Sequence, residues 1–226
     1  MNETHISIIL PTLNEADGIV DTLHPLQVWR MRGHEIIMAD GGSDDATVTL
    51  AGPWVDKVIR SGRGRAVQMN AGARAARSDI LLFLHADTQL PPDADALILD
   101  ALQARAWGRF DVRLSGAHPL LRVVETLMNW RSRLTGIATG DQALFVRRGL
   151  FEKIGGFPQI PLMEDIALCR KLKKYGPPLC LKQRVLTSSR RWEQHGILRT
   201  VWLMWRLRLA YALGADPAQL VKSYYK

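Results

Sequence analysis

Four polar clusters, each following an apolar run, carry the chemistry open to this chain. The first is "PTLNE", Pro11 to Glu15. In the second, "ADGGSDDAT", Asp40 can accept hydrogen bonds from a base or ribose, and Gly41 and Gly42 let a ligand come close to the backbone. The third, "GRGRAVQMNAG", supplies Arg63 and Arg65, whose guanidinium groups can each neutralise phosphate through paired hydrogen bonds. It fits neither the P-loop nor the dinucleotide fingerprint. The fourth is His85-Ala86-Asp87-Thr88-Gln89, where Asp87 is an oxygen ligand suited to Mg2+ or Mn2+ bridging two phosphates. Singly, each cluster reads equally well as a turn, a helix cap or a loop opening. Jointly they describe a pocket for a nucleoside diphosphate.

That joint reading depends on the elements beneath the clusters. Apolar runs at residues 5–11, 34–40, 55–61 and 80–84 have strand length. Helical spacing covers residues 15–30, 44–50, 65–77 and 92–103, with Pro25 placed to kink or break the first of these. Strands separated by single helices imply right-handed βαβ units in a parallel sheet, and such sheets bind ligands beyond the carboxyl ends of their strands. All four clusters fall there. Further on, residues 107–116, 142–148 and 177–183 read as strands. Residues 120–134 and 164–175 read as helices, and 150–155 as a helical turn. The expected fold class is α/β, a predominantly parallel sheet flanked by helices. Residues 1–194 form one domain, with 1–105 as its ligand-binding half and 106–194 completing it, and 195–226 form a helical extension.

Composition agrees with a globular core, at 47% hydrophobic and 23% charged residues. Cys169 and Cys180 lack Cys or His partners at metal-site spacing and read as reduced core residues. The start, "MNETHISIILPTLNE", has no basic n-region or long apolar stretch, so the expected location is cytoplasmic. Net charge is +8, and residues 184–226 hold eight Lys/Arg against two Asp/Glu. A basic tail suits nucleic acid, an anionic membrane or an anionic substrate alike.

The ordered set "PTLNE", "ADGGSDD", "GRGRAVQMNAG", "LFLHADT" and "GGFPQIPLMEDIALCRKLKKYG" resembles family-2 glycosyltransferases of the GT-A fold. It most resembles a bacterial subgroup associated with radical-SAM and selenoprotein-type genes. The resemblance spans about residues 6–192. It implies transfer of a sugar, with inversion, from a UDP- or GDP-type nucleotide-sugar donor to an acceptor, with the help of Mg2+ or Mn2+. By position it implies that Pro11, Thr12, Asn14 and Glu15 line the base and ribose pocket. Asp40 then binds the base, and Arg65 lies near the base or phosphates. Asp87 becomes the metal-binding carboxylate, with Gln89 adding an amide oxygen. His85 stands where the usual Asp-x-Asp pattern has its first acid, and could reach a ribose or favour Mn2+ over Mg2+. In the acceptor half, Gly140 and Asp141 of "GDQALFVRR" precede "MEDIALCRKL", which implies Asp165, beside Glu164, as catalytic base. Arg190, Arg191 and Trp192 resemble an Arg-Trp element near the diphosphate or acceptor. A purely structural reading of Glu164-Asp165 also exists, because acids at a helix start and lysines at its end complement the helix dipole.

Rival functions make different demands. A nucleotidyltransferase wants a glycine-rich basic loop after the first strand, where this chain has "PTLNEADG". A nucleic-acid binder wants exposed aromatics among basic residues, and the acidic strand ends oppose it. A non-catalytic nucleotide-sugar binder would keep the pocket without turnover. Residues 195–213, "HGILRTVWLMWRLRLAYAL", are too short and too charged for a confident span. They suit a helix packed on the domain or in a homodimer, or one lying in a membrane interface at the inner face of the membrane, near a lipid-linked or anionic acceptor.

Overall fold

The computed structural model describes residues 4–224. Eight strands form one mixed sheet: β1 (Ile6–Thr12), β2 (Glu35–Asp40), β3 (Lys57–Arg60), β4 (Ile80–Phe83), β5 (Thr88–Gln89), β6 (Trp107–Leu114), β7 (Phe145–Arg147) and β8 (Leu179–Thr187). Their order is β3-β2-β1-β4-β7-β6-β8-β5. The first four run parallel, as the alternating pattern requires. β7 then enters antiparallel to both β4 and β6, and β8 lies parallel to β6. Every residue of β1 and β2 is buried, which is why apolar residues run consecutively in them rather than alternating, and why Ser7, Thr12, Glu35 and Asp40 are buried with them.

Helices cover both faces. α1 (Ile19–Leu23) and α2 (Gln27–Met31) are the two pieces of the expected helix at 15–30, separated at His24-Pro25-Leu26. α3 (Thr47–Ala51), α4 (Arg65–Ala75) and α5 (Ala94–Ala104) complete the first half. One face of the sheet buries Ile8, Leu10 and Phe110 against Leu23 and Ile98. The other buries Ile9, Ile37 and Phe83 against Met69 and Leu168. Each such side chain contributes about 2 kcal/mol of hydrophobic stabilisation. Gly72 lets α4 lie close on β1, since a Cβ there would meet Ile9 Cγ2 at 2.5 Å.

The second half holds α6 (Pro119–Thr135), α7 (Arg148–Lys153) and α8 (Glu164–Leu172), then α9 (Arg190–His195), α10 (Ile197–Ala212) and α11 (Pro217–Tyr224). α6 opens with Pro119 in its first turn, His118 Nδ1 accepting the Leu120 N–H at 3.1 Å, and it stops at left-handed Gly136. The helix expected at 195–213 starts after Gly196, whose φ of 82° separates it from α9. Its inner face is packed: Leu207 joins Met163, Ile166 and Leu220, while Ile197 and Val201 meet Leu121 and Val124 of α6.

A short link, Leu84 to Asp87, joins β4 at the centre of the sheet to β5 at its far edge. Three strand spacings would put the ends of β4 and β8 about 14 Å apart in a flat sheet. The link contains a turn, with Thr88 N–H donating to His85 O at 3.1 Å, so it cannot comfortably reach that far. The sheet curls instead, and the ends of β4 and β8 converge. Thr88 Oγ1 bonds Thr187 Oγ1 at 2.9 Å, and Ser188 N–H donates to Asp87 O at 3.2 Å.

Candidate active site

The loops after β1 and β2 are fastened together. Asn14, left-handed at φ 55°, accepts the Asp44 N–H on Oδ1 at 3.0 Å, and its own N–H donates to Ser43 Oγ at 3.0 Å. Glu15 N–H donates to Thr47 Oγ1 at 2.8 Å. Asp40 is buried, and its carboxylate accepts from Gly42 N–H at 3.0 Å and from the Ser43 hydroxyl at 2.6 Å. Any donor contact by Asp40 therefore shares oxygens that already hold the turn. Pro11 and Thr12, expected to line the base pocket, are buried strand residues at the end of β1. Gln68, which sequence reasoning passed over, ties both strand ends: its Nε2 donates to Thr12 O at 2.7 Å and Ala39 O at 3.0 Å. In α4 it stands among Arg65, Asn70 and Arg74 as one polar residue of several, so nothing in the sequence singles it out.

Arg65, at the start of α4, shares one pocket with His85, Thr139, Gly140, Glu164 and Asp165. Asp165 Oδ2 accepts the Gly140 N–H at 3.2 Å, and Oδ1 accepts its own helix's Ile166 N–H at 2.7 Å. His85 lies against Gly140, and its Nδ1 is 3.5 Å from Asp141 Oδ1. The ring thus joins the carboxylates of the second half. The backbone here is unusual: Ala143 and Met163, next to the Gly140–Gln142 turn and to Glu164, have φ of 45° and 68°. Such conformations cost energy in residues with a Cβ, and they cluster at functional sites.

The charges in the pocket perturb each other. Burial, then the neighbouring Asp165, pushes the Glu164 carboxyl up to about 7. Burial and Asp141 also raise Asp165, against the two N–H donors that favour its anion. Burial would raise Asp141 too, but His85, Arg65 and Arg131 outweigh it and hold that carboxyl low. Arg131 is a second residue that sequence reasoning missed. It sits among apolar positions of α6, and burial lowers its pKa while Asp165 and Asp141 hold it up. Its Nε and Nη2 have no hydrogen-bond partner, so it acts as a buried counter-charge beneath the two carboxylates. A basic residue within an amphipathic stretch reads as surface, and nothing in the sequence marks this one as internal.

Asp87 and Gln89 lie exposed on the rim, and Glu15 stands near enough to Asp87 for the two charges to interact. Burial and Asp87 raise the Glu15 carboxyl, partly offset by Arg190, whose Nη2 is 3.5 Å from Glu15 Oε2. Among the described residues no group of three or more His, Cys, Asp and Glu could form a cage for a metal. Mg2+ and Mn2+ bound with a nucleotide do not need one, since one or two carboxylates with phosphate oxygens and water suffice. The exposed Asp87 fits that arrangement. Other expected residues lie elsewhere. Arg63 is exposed and does not line the pocket. Arg191 and Trp192, expected near the diphosphate or acceptor, serve the C-terminal helices. The Arg191 guanidinium stacks 3.6 Å from the Tyr224 ring, and Trp192 packs with Leu121 and Ile197.

Comparison with known proteins agrees with this architecture. The chain is 32% identical over 167 residues to an uncharacterized glycosyltransferase of Mycobacterium tuberculosis, covering 67% of this chain and 62% of that relative. It is 28% identical over 161 residues to an undecaprenyl-phosphate 4-deoxy-4-formamido-L-arabinose transferase of Pseudomonas fluorescens, covering 63% and 46% of the two chains. The chain thus spans less than two thirds of the length of either relative. Among solved structures, residues 1–349 of TarS from S. aureus superpose with a TM-score of 0.68 at 16% identity, over 82% of this chain and 61% of that one. A mannosyltransferase of Pyrobaculum calidifontis, solved with GDP-Man and Mn2+, gives 0.67 at 21% identity, over 91% and 60%. The fold is therefore the GT-A type, and a match of residues 7–155 to the family profile, running from β1 through α7, makes this chain a member of glycosyl transferase family 2.

Proposed function

We propose that the protein is an inverting, hexosyl-type glycosyltransferase that moves a sugar from a UDP- or GDP-type donor to an acceptor hydroxyl. The observation that carries this reading is the meeting of Arg65 from the first half with Glu164 and Asp165 from the second in one pocket. Inversion needs a base on one side of the reacting carbon and charge stabilisation for the leaving diphosphate on the other. Asp165 is the base. Its two N–H donors, from Gly140 and Ile166, work in favour of its anion, while burial beside Asp165 pushes the Glu164 carboxyl up to about 7. Arg65 neutralises donor phosphate, and Arg190 can join it from Glu15. Asp87 would hold a divalent cation, which when bound supplies positive charge to the diphosphate. His85 orients Asp141 and the Gly140 turn beneath the acceptor.

Support for a sugar-nucleotide donor comes from neighbours of the same fold solved with UDP-GlcNAc and with GDP-Man and Mn2+. A relative named for transfer to undecaprenyl phosphate makes a lipid-linked acceptor a reasonable class. Within the family we place the chain in the radical-SAM-associated bacterial subgroup on its motif set, with a cytoplasmic site of action. The test is titration of a panel of nucleotide sugars with and without Mn2+, followed by turnover. One donor should bind tightly only with the metal, and Asp87→Ala should abolish that dependence. Absence of any binder, with Asp87→Ala indistinguishable from the parent, would refute the reading. Binding without turnover would favour a sugar-nucleotide binder instead.

A further inference from the structure

Ten of the seventeen large hydrophobic residues that lie exposed, among the described residues, fall on two helices or the residue that ends one of them. On α6 they are Leu120, Val123, Leu127, Trp130 and Leu134. The spacing of three and four keeps all five within an arc of about 80° at 100° per residue. On and just after α10 they are Leu198, Trp202, Trp205, Leu209 and Leu213, again on one narrow stripe. Monomeric soluble domains scatter such residues singly, and a continuous stripe marks a contact surface. The two stripes converge, because Leu120 and Leu198 line the same groove.

Charge identifies the occupant. α10 carries Arg199, Arg206 and Arg208 and no acidic residue. By helical geometry Arg199 and Arg206 flank its stripe on one side and Arg208 on the other. The Arg206 guanidinium sits 4.9 Å from the Trp202 ring, holding charge beside an exposed aromatic face. The one acid on α6, Glu125, is buried. Glu193, the carboxylate lining the groove, is engaged by the Ser189 hydroxyl at 3.1 Å. Exposed tryptophans and leucines bordered by arginines, without exposed acid on either helix, match a surface that is apolar within and anionic at its face. A second copy of the chain would bring the same arginines against one another. No described helix is long and apolar enough to cross a membrane, so the contact is with the surface.

We propose that the outer faces of α6 and α10 together form a docking surface for an anionic lipid bilayer. The stripes enter the headgroup boundary, and the arginines meet lipid phosphates. Trp192, in the groove, lies two residues from Arg190, which pairs with Glu15 on the donor rim. Docking would bring the Arg190–Glu15 pair toward the lipid surface.

The test is sedimentation of the full chain with vesicles of phosphatidylcholine alone, or of phosphatidylcholine and phosphatidylglycerol in equal parts, with tryptophan emission recorded. Binding to the anionic vesicles only, with a blue-shifted emission and release by high salt, is the expected result. Replacing Arg199, Arg206 and Arg208 by Gln should weaken binding roughly fivefold per arginine. Trp202→Ser with Trp205→Ser should remove most of the shift, leaving the part that comes from Trp130, with circular dichroism confirming the fold. A second pair, Leu127→Ser with Trp130→Ser, tests α6 separately. Equal binding to neutral vesicles, no binding to either, or self-association through the stripes in place of vesicle binding would each overturn the proposal.

Discussion

Replacing Glu164 by Gln should make the protein more stable at alkaline pH, although it removes a carboxylate from the start of α8. The carboxyl keeps its proton up to about pH 7 in the folded chain, against an ordinary value of 4.5. Between those values the native state holds one proton that the unfolded chain has released. Stability then falls as pH rises, by about 1.4 kcal/mol per pH unit. Across the whole window the loss is roughly 3 kcal/mol, complete by about pH 8. The contribution is fully present below pH 4.5. Glutamine is neutral throughout and nearly the same shape, so its profile lacks this descent. Urea unfolding of both proteins from pH 4 to pH 8.5 measures it directly. The two curves should meet at low pH and separate by roughly 3 kcal/mol at the alkaline end, with the variant on top. Parallel curves would mean that Glu164 ionises normally and that burial beside Asp165 does not govern the site. Activity gives an independent reading. Asp165→Asn should lose roughly 100-fold or more in kcat, while Glu164→Gln keeps most of it.

Arg131→Met should lower stability by roughly 3 kcal/mol, because Asp141 and Asp165 lose their buried counter-charge. A change in the urea midpoint worth less than 1 kcal/mol (about the size of a surface pair) would refute that role. Gly140→Ala should cost about 1–3 kcal/mol, since its new Cβ would run into His85 Nε2. Adding His85→Ala should restore much of it, and additive losses would show that the two do not touch. Gln68→Ala should cost about 1–3 kcal/mol and weaken nucleotide-sugar affinity, measured by calorimetry, by leaving Thr12 O short of a partner and Ala39 O without its side-chain donor.

The first half of the chain was legible because one physical rule governs it. Runs such as Ile80 to Leu84 are apolar on every residue only when both sheet faces are covered, and that forces parallel strands with clusters at their carboxyl ends. Pro25 broke the first helix for a covalent reason that any sequence displays. The second half was read less well because its short strands depend on partners far along the chain. β5 is two residues long and exists through pairing with β8, almost a hundred residues later. The reversal of β7 leaves no mark in its composition. Buried arginines were invisible for a related reason. Arg109 is fully buried and paired with Asp111, and Arg131 lies under Asp141, yet both look like surface residues when only their own neighbours are read. Of the expected site residues, the structure gathers Arg65, His85, Gly140, Glu164 and Asp165 around one pocket, and only side-chain geometry separates Arg65 from Arg191, which turns to Tyr224.

The link from Leu84 to Asp87 acts as a seam rather than a hinge. Asp87 O is bonded to Ser188 N–H, and the next residue but one opens α9, which leads through Gly196 into α10. A ligand that pulls on the Asp87 carboxylate therefore loads the root of the C-terminal helices through two or three stiff peptide units. The two halves cannot open around such a joint without breaking the β5–β8 pairing. A ligand held by Asp87 would thus share one short run of paired backbone with the root of α10.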